Sequence, residues 1–121
     1  MGSRFTELVI DCADPGRVAD FWARVLDYDV IDRGPEGEVE IAGKLSGAPT
    51  LVFVPVPEPK TVKNRVHIDV NPTATDHETE LERLLALGAQ RVDVGQTAEV
   101  SWVVLADPEG NEFCLLRRQV D

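Results

Sequence analysis

Glu7-Leu8-Val9-Ile10-Asp11 and Val66-His67-Ile68-Asp69-Val70 are the two stretches on which the fold turns. Each reads as a short strand, and each is followed by a helical pattern. After the first come Val18, Phe21, Trp22, Val25 and Leu26, spaced as one buried helical stripe requires. After the second come Leu81, Leu84 and Leu85. An offset of 60 residues carries Glu7 onto His67, Phe21 onto Leu81 and Val25 onto Leu85. Register therefore holds through a whole strand–helix unit. A duplicated unit allows two half-sheets to meet around a cleft, into which equivalent strand positions point. Glu7 and His67 are such a pair, and both side chains bind metals or move protons.

The remaining elements repeat in the same order. Asp14 suits the cap of the first helix and Pro15 its first turn, where no intrahelical donor is needed. Strands are expected at about 28–33, 37–43 and 49–56, after which Pro55, Pro57 and Pro59 stop central strand pairing. In the second half, Thr75 and Glu78 suggest a capping box for a helix that Gly88 ends. His77, near its start, is expected to face solvent. Strands follow at about 90–94, 99–106 and 112–118, with an Asp107-Pro108-Glu109-Gly110 turn before the last. The expected fold class is α+β. Two βαβββ modules, at about 5–56 and 65–118, form a curved mixed sheet around a cleft, with the helices outside and a connector at 57–64.

At 121 residues the chain is read as one domain, and 43% hydrophobic residues suffice for a core. Twenty-two acidic residues against twelve basic ones give a formal net charge of −10. That balance repels phosphate backbones, so no nucleic-acid partner is expected, and it favours a cationic ligand. No apolar run approaches the roughly 18 residues of a membrane span, and no signal-peptide pattern opens the chain. Cys12 and Cys114 fit no zinc spacing and read as reduced thiols of a cytoplasmic protein.

This doubled order, with Asp-Pro opening the first helix and Asp107-Pro108-Glu109-Gly110-Asn111-Glu112-Phe113 before the last strand, resembles the vicinal oxygen chelate superfamily. Lys63-Asn64-Arg65-Val66-His67-Ile68-Asp69 and Leu84-Leu85-Ala86-Leu87-Gly88-Ala89 are similar to its compact glyoxalase-like members. The resemblance covers most of residues 5–118. It implies a homodimer that binds a small molecule, aromatic or cationic in the bleomycin-resistance type. It also implies metal ligands on the first and last strands of each half. By that resemblance Glu7 and His67 occupy the first-strand positions and Cys114 the glutamate position of the last strand. In the first half the matching residue is Val52 or Val54, neither of which binds a metal. A hard divalent ion wants several oxygens. No cofactor is therefore expected, with a metal on Glu7, His67 and Cys114 as the alternative.

Other residues have roles of their own to weigh. Asp69 lies two positions after His67 and shares its strand face, where a carboxylate supports a histidine ligand or general base. Glu7 and His67 are the catalytic candidates if the chain is an enzyme. Glu112 and Cys114 alternate onto one face of the last strand, and Trp102 shares a face with Val100 and Val104. An indole there can floor a pocket or simply pack. Lys63 and Arg65 can receive a carboxylate or phosphate group, or lie in a solvated linker. Two functional classes remain. One is a binding or sequestering module, and the other is a lyase, isomerase or dioxygenase of the vicinal oxygen chelate type.

Overall fold

Asp14 turns the chain out of its first strand and starts the first helix, its Oδ1 accepting from the Arg17 amide at 3.2 Å. That strand is β1 (Glu7–Cys12) and the helix α1 (Pro15–Leu26) in a computed structural model, which describes residues 1–92 and 102–121. The module continues with β2 (Asp29–Arg33), β3 (Val39–Ala42) and β4 (Thr50–Pro55). The same order returns as β5 (Ile68–Val70), α2 (His77–Leu87), β6 (Gln90–Arg91), β7 (Trp102–Ala106) and β8 (Glu112–Leu116). Positions 93, 94 and 99–101 of the expected strands lie outside the described residues. The chain divides into two compact units, Met1–Pro59 and Lys60–Asp121, each holding one such run of elements.

Each unit holds one four-stranded mixed sheet, ordered β1-β4-β3-β2 in the first and β5-β8-β7-β6 in the second. First and last strands of each module pair in parallel, and the other neighbours are antiparallel. The fold class is thus α+β, two helices with two four-stranded sheets. In unit one, α1 lays Val18, Phe21, Trp22 and Val25 against β3 and β4, whose Val39, Ile41, Leu51 and Phe53 are buried. Phe21 and Trp22 meet edge to face, ring centroids 5.5 Å apart, so Trp22 belongs to the core. Alternation leaves Glu7, Val9 and Asp11 exposed on the other face.

Unit two departs from the sequence reading at its helix. The cap of α2 is Asp76, which accepts from the Thr79 amide at 2.8 Å, instead of the Thr75–Glu78 box. An ionised carboxylate is the stronger acceptor at the positive end of a helix. The Thr79 amide in turn holds the Asp76 carboxyl below its usual range. The buried residues of α2 are His77, Glu80 and Leu84, while Leu81 and Leu85 are only half-buried. His77, expected at the surface, is buried, and its Nε2 has no hydrogen-bond partner. Glu80 is tied by two 2.8 Å bonds from Arg83. At the other end Gly88 takes the left-handed cap conformation, with φ of 117°.

Candidate functional site

The site is built on the parallel pairing of β5 with β8, which sets Asp69 beside Cys114 and Ile68 beside Phe113. Phe113 and Leu115 are buried and alternate with Glu112, Cys114 and Leu116. The antiparallel pairing of β7 then brings Trp102 beside Leu116 and Val104 beside Cys114. Asp69, Cys114, Glu112, Trp102, Val104 and Leu116 therefore occupy one sheet face. His67, immediately before β5, joins them through a 3.1 Å contact between its Nε2 and Asp69 Oδ1.

Together these residues line a cavity of about 360 Å³, entirely within unit two. Its apolar walls are Trp102, Val104 and Leu116, and Trp102 keeps 39% of its surface exposed. The polar residues lie at its edge. His67 and Asp69 are about half exposed, at 46% and 48% of their side chains. Cys114 is buried, and burial pushes its thiol pKa up, with the charge and hydrogen bonding of Asp69 adding to the rise and Lys63 opposing it. The thiol is thus held protonated, a poor starting point for a nucleophile.

Glu112 has a fixed structural duty as well as a place in the lining. Its carboxylate accepts the Asn64 amide at 2.9 Å and the Lys60 ammonium at 3.1 Å. Burial alone would raise its pKa, but these donors outweigh it and hold the carboxyl below the usual range. The tie holds the 60–64 segment to β8, and Lys63 and Asn64 of that segment line the cavity. Nothing in the sequence signals this tie, because 52 residues separate its ends. Arg65 is exposed and is not among the residues lining the cavity, where Lys63 is the cation.

Glu7 stands exposed at the start of β1 in unit one, beside Thr50. The pairing there also fixes the register that the sequence left open. Val9 beside Val52 in unit one corresponds to Asp69 beside Cys114 in unit two, so Val52 takes the place of Cys114. Among the described residues, the one group of three or more metal-ligand side chains is His67, Asp69 and Cys114, whose donor atoms lie within 4.8 Å of one another.

Residues 7–116 match the family model of the glyoxalase-like domain. The chain belongs to the glyoxalase-like domain family. With it the chain falls in the vicinal oxygen chelate superfamily. Solved structures share the fold at low identity. The fosfomycin resistance protein FosX of Listeria monocytogenes, complexed with Mn(II) and sulfate, is 14% identical over 99% of this chain and 94% of its own, with a TM-score of 0.75. A glyoxalase/bleomycin resistance protein/dioxygenase family enzyme of Burkholderia phytofirmans is 19% identical over 93% and 97%, with a TM-score of 0.69. TioX of Micromonospora sp. ML1 is 22% identical over 96% and 98%, with a TM-score of 0.59. No curated protein sequence matches the chain.

A manganese ion of the kind held by that FosX is hard and seeks oxygen donors. In this family member the cluster offers one carboxylate, one imidazole and one thiol, and Val52 offers no donor. These residues do not fit a manganese-type ion.

Proposed function

We propose that this glyoxalase-like protein binds a small, flat, partly apolar molecule in the unit-two cavity, without a hard divalent metal. The observation that carries this reading is the lining itself. An indole and two aliphatic side chains form the walls, and a few polar groups at the edge can orient a ligand. A cationic or hydrogen-bond-donating group suits Asp69, and the formal charge of −10 favours such ligands at encounter. The reading includes a homodimer in the cytoplasm, supported by the family resemblance and testable by light scattering and localisation of a tagged chain.

The test is a thermal-shift screen of aromatic, cationic and neutral compounds against metal-free protein, followed by fluorescence titration. Trp102 should report binding, while Trp22, buried in the core of unit one, should not. Trp102→Ala should weaken any hit about tenfold or more, by loss of stacking and apolar contact. A hit of undiminished affinity in that variant, or a broad screen without any hit, counts against the reading.

A second reading rests on the His67–Asp69 pair. A carboxylate 3.1 Å from an imidazole fixes its orientation and supports it as a general base, so acid–base turnover is the enzymatic alternative. His67→Ala separates the two once a ligand is known. An enzyme loses turnover by a factor of roughly 100 or more, whereas a sequestering protein keeps most of its affinity.

A further inference from the structure

We infer that unit two carries a second ligand site, on the helix side of its sheet, for a small zwitterion with an apolar body. An α-amino acid with a large apolar side chain is the fitting class. Trp102 and Val104 face the cavity described above, so Val103 between them faces the other way, toward α2. There it helps to line a groove of about 410 Å³ between α2 and the sheet. Leu81, Leu85 and Val103 supply apolar walls, all three half-buried.

The charges around this groove are unusual. Glu78 and Glu82 stand one helical turn apart on α2. Arg91 is the partner of Leu105, to one side of Val103. Arg117 lies two residues past Leu115, the partner of Val103 on the other side. All four line the groove and are exposed, and none has an ion pair or hydrogen bond among the described residues. The nearby Glu80, by contrast, is held by Arg83. Two carboxylates on the helix thus confront two guanidiniums on the sheet without closing on them. A molecule with one charge of each sign bridges that gap, its carboxylate on a guanidinium and its ammonium on a glutamate. A singly charged molecule is repelled by one wall. The same groove is lined by His77, only 8% exposed, whose Nε2 is unpartnered. An unpaired buried nitrogen is costly, and a polar ligand atom seated beside it relieves that cost. The nitrogen is screened from solvent, so pairing requires a turn of the ring.

The probes are L-phenylalanine and L-leucine, with N-acetyl-phenylalanine lacking the ammonium and phenylalanine amide lacking the carboxylate. The chain has two histidines, His67 at the cavity and His77 at the groove, so imidazole resonances report which site a probe enters. Titration of the full chain with either amino acid at millimolar concentration should shift His77 and leave His67 and the Trp102 indole unmoved. Each blocked analogue should bind roughly threefold to tenfold more weakly, as suits partly exposed charge pairs. Arg117→Gln and Glu82→Gln should weaken the amino acids by a similar factor, and Trp102→Ala should not. Both replaced groove residues are exposed, and circular dichroism establishes that each variant is folded. Shifts at His67 in place of His77, analogues that bind as well as their parents, variants without effect, or no shift at all overturn the inference. Ligands of the cavity report at His67 and Trp102, so that reading and this one fail separately.

Discussion

Units one and two have the same strand order and the same pairing pattern, yet their open sheet faces carry different chemistry. On the helix side the two are alike. Leu51 and Phe53 of β4 correspond by register to Phe113 and Leu115 of β8, and all four are buried. On the other face, Glu7, Val9, Thr50, Val52 and Glu40 in unit one stand where His67, Asp69, Glu112, Cys114 and Val104 stand in unit two. The helix side is constrained to be apolar because it is the core. The open face has no such constraint, so the copies can diverge there without cost to the fold.

If the helix sides are equivalent cores, emptying either should be equally damaging. Phe53→Ala and Phe113→Ala each remove a fully buried ring and should each cost about 3–5 kcal/mol, measured by denaturant unfolding. A loss below about 1 kcal/mol at one site and not the other would break the equivalence.

The next prediction concerns one register slot with two duties. In unit one Thr50 Oγ1 donates to Glu40 Oε2 at 2.9 Å, tying neighbouring strands. In unit two Glu112 ties the sheet to the 60–64 segment through Asn64 and Lys60. Glu112→Gln should cost about 1.5–3 kcal/mol, as expected for charge-assisted bonds at a largely buried carboxylate. The pH dependence has a definite sign. The folded Glu112 carboxyl has a lowered pKa, so its contribution is present above the ordinary carboxylate range and fades as pH falls through the depressed value. Acid titration of stability should therefore be flatter in Glu112→Gln than in the parent. Thr50→Val, losing a neutral donor, should cost only about 0.5–1.5 kcal/mol.

This comparison also separates what is legible in a sequence from what is not. The repeat, the Asp14 and Gly88 caps and the Asp107–Gly110 turn depend on neighbours a few residues apart. Asp107 is a good example, its Oδ1 accepting the amides of Glu109 and Asn111 at 2.9 Å each. The lateral register of the last strand depends on residues far away in sequence. The offset that carries β1 onto β5 is 60 residues, but β4 maps onto β8 with two more, as Val52 onto Cys114. Only the pairing reveals those two residues, and with them the choice of Val52 over Val54. The α2 cap shows the opposite difficulty, in which the residue next to the expected Thr75, Asp76, is the one that caps the helix.

The smallest expected effect is at the position where the two units differ most in chemistry. Cys114→Val gives unit two the residue that unit one carries at the same register, Val52. The substitution keeps the position apolar and adds about one methyl group at a position that lines a cavity, so packing against Val104 should change by less than about 1.5 kcal/mol. The bond lost is that between the thiol and Asp69, and Asp69 retains His67 and, being half exposed, solvent. Thiols are weak donors, so little stability goes with it. Ligand binding to the metal-free cavity should survive, because its walls are Trp102, Val104 and Leu116. A loss above about 3 kcal/mol would mean that Cys114 is held by more than apolar packing, and that the unit-one register is no guide to unit two.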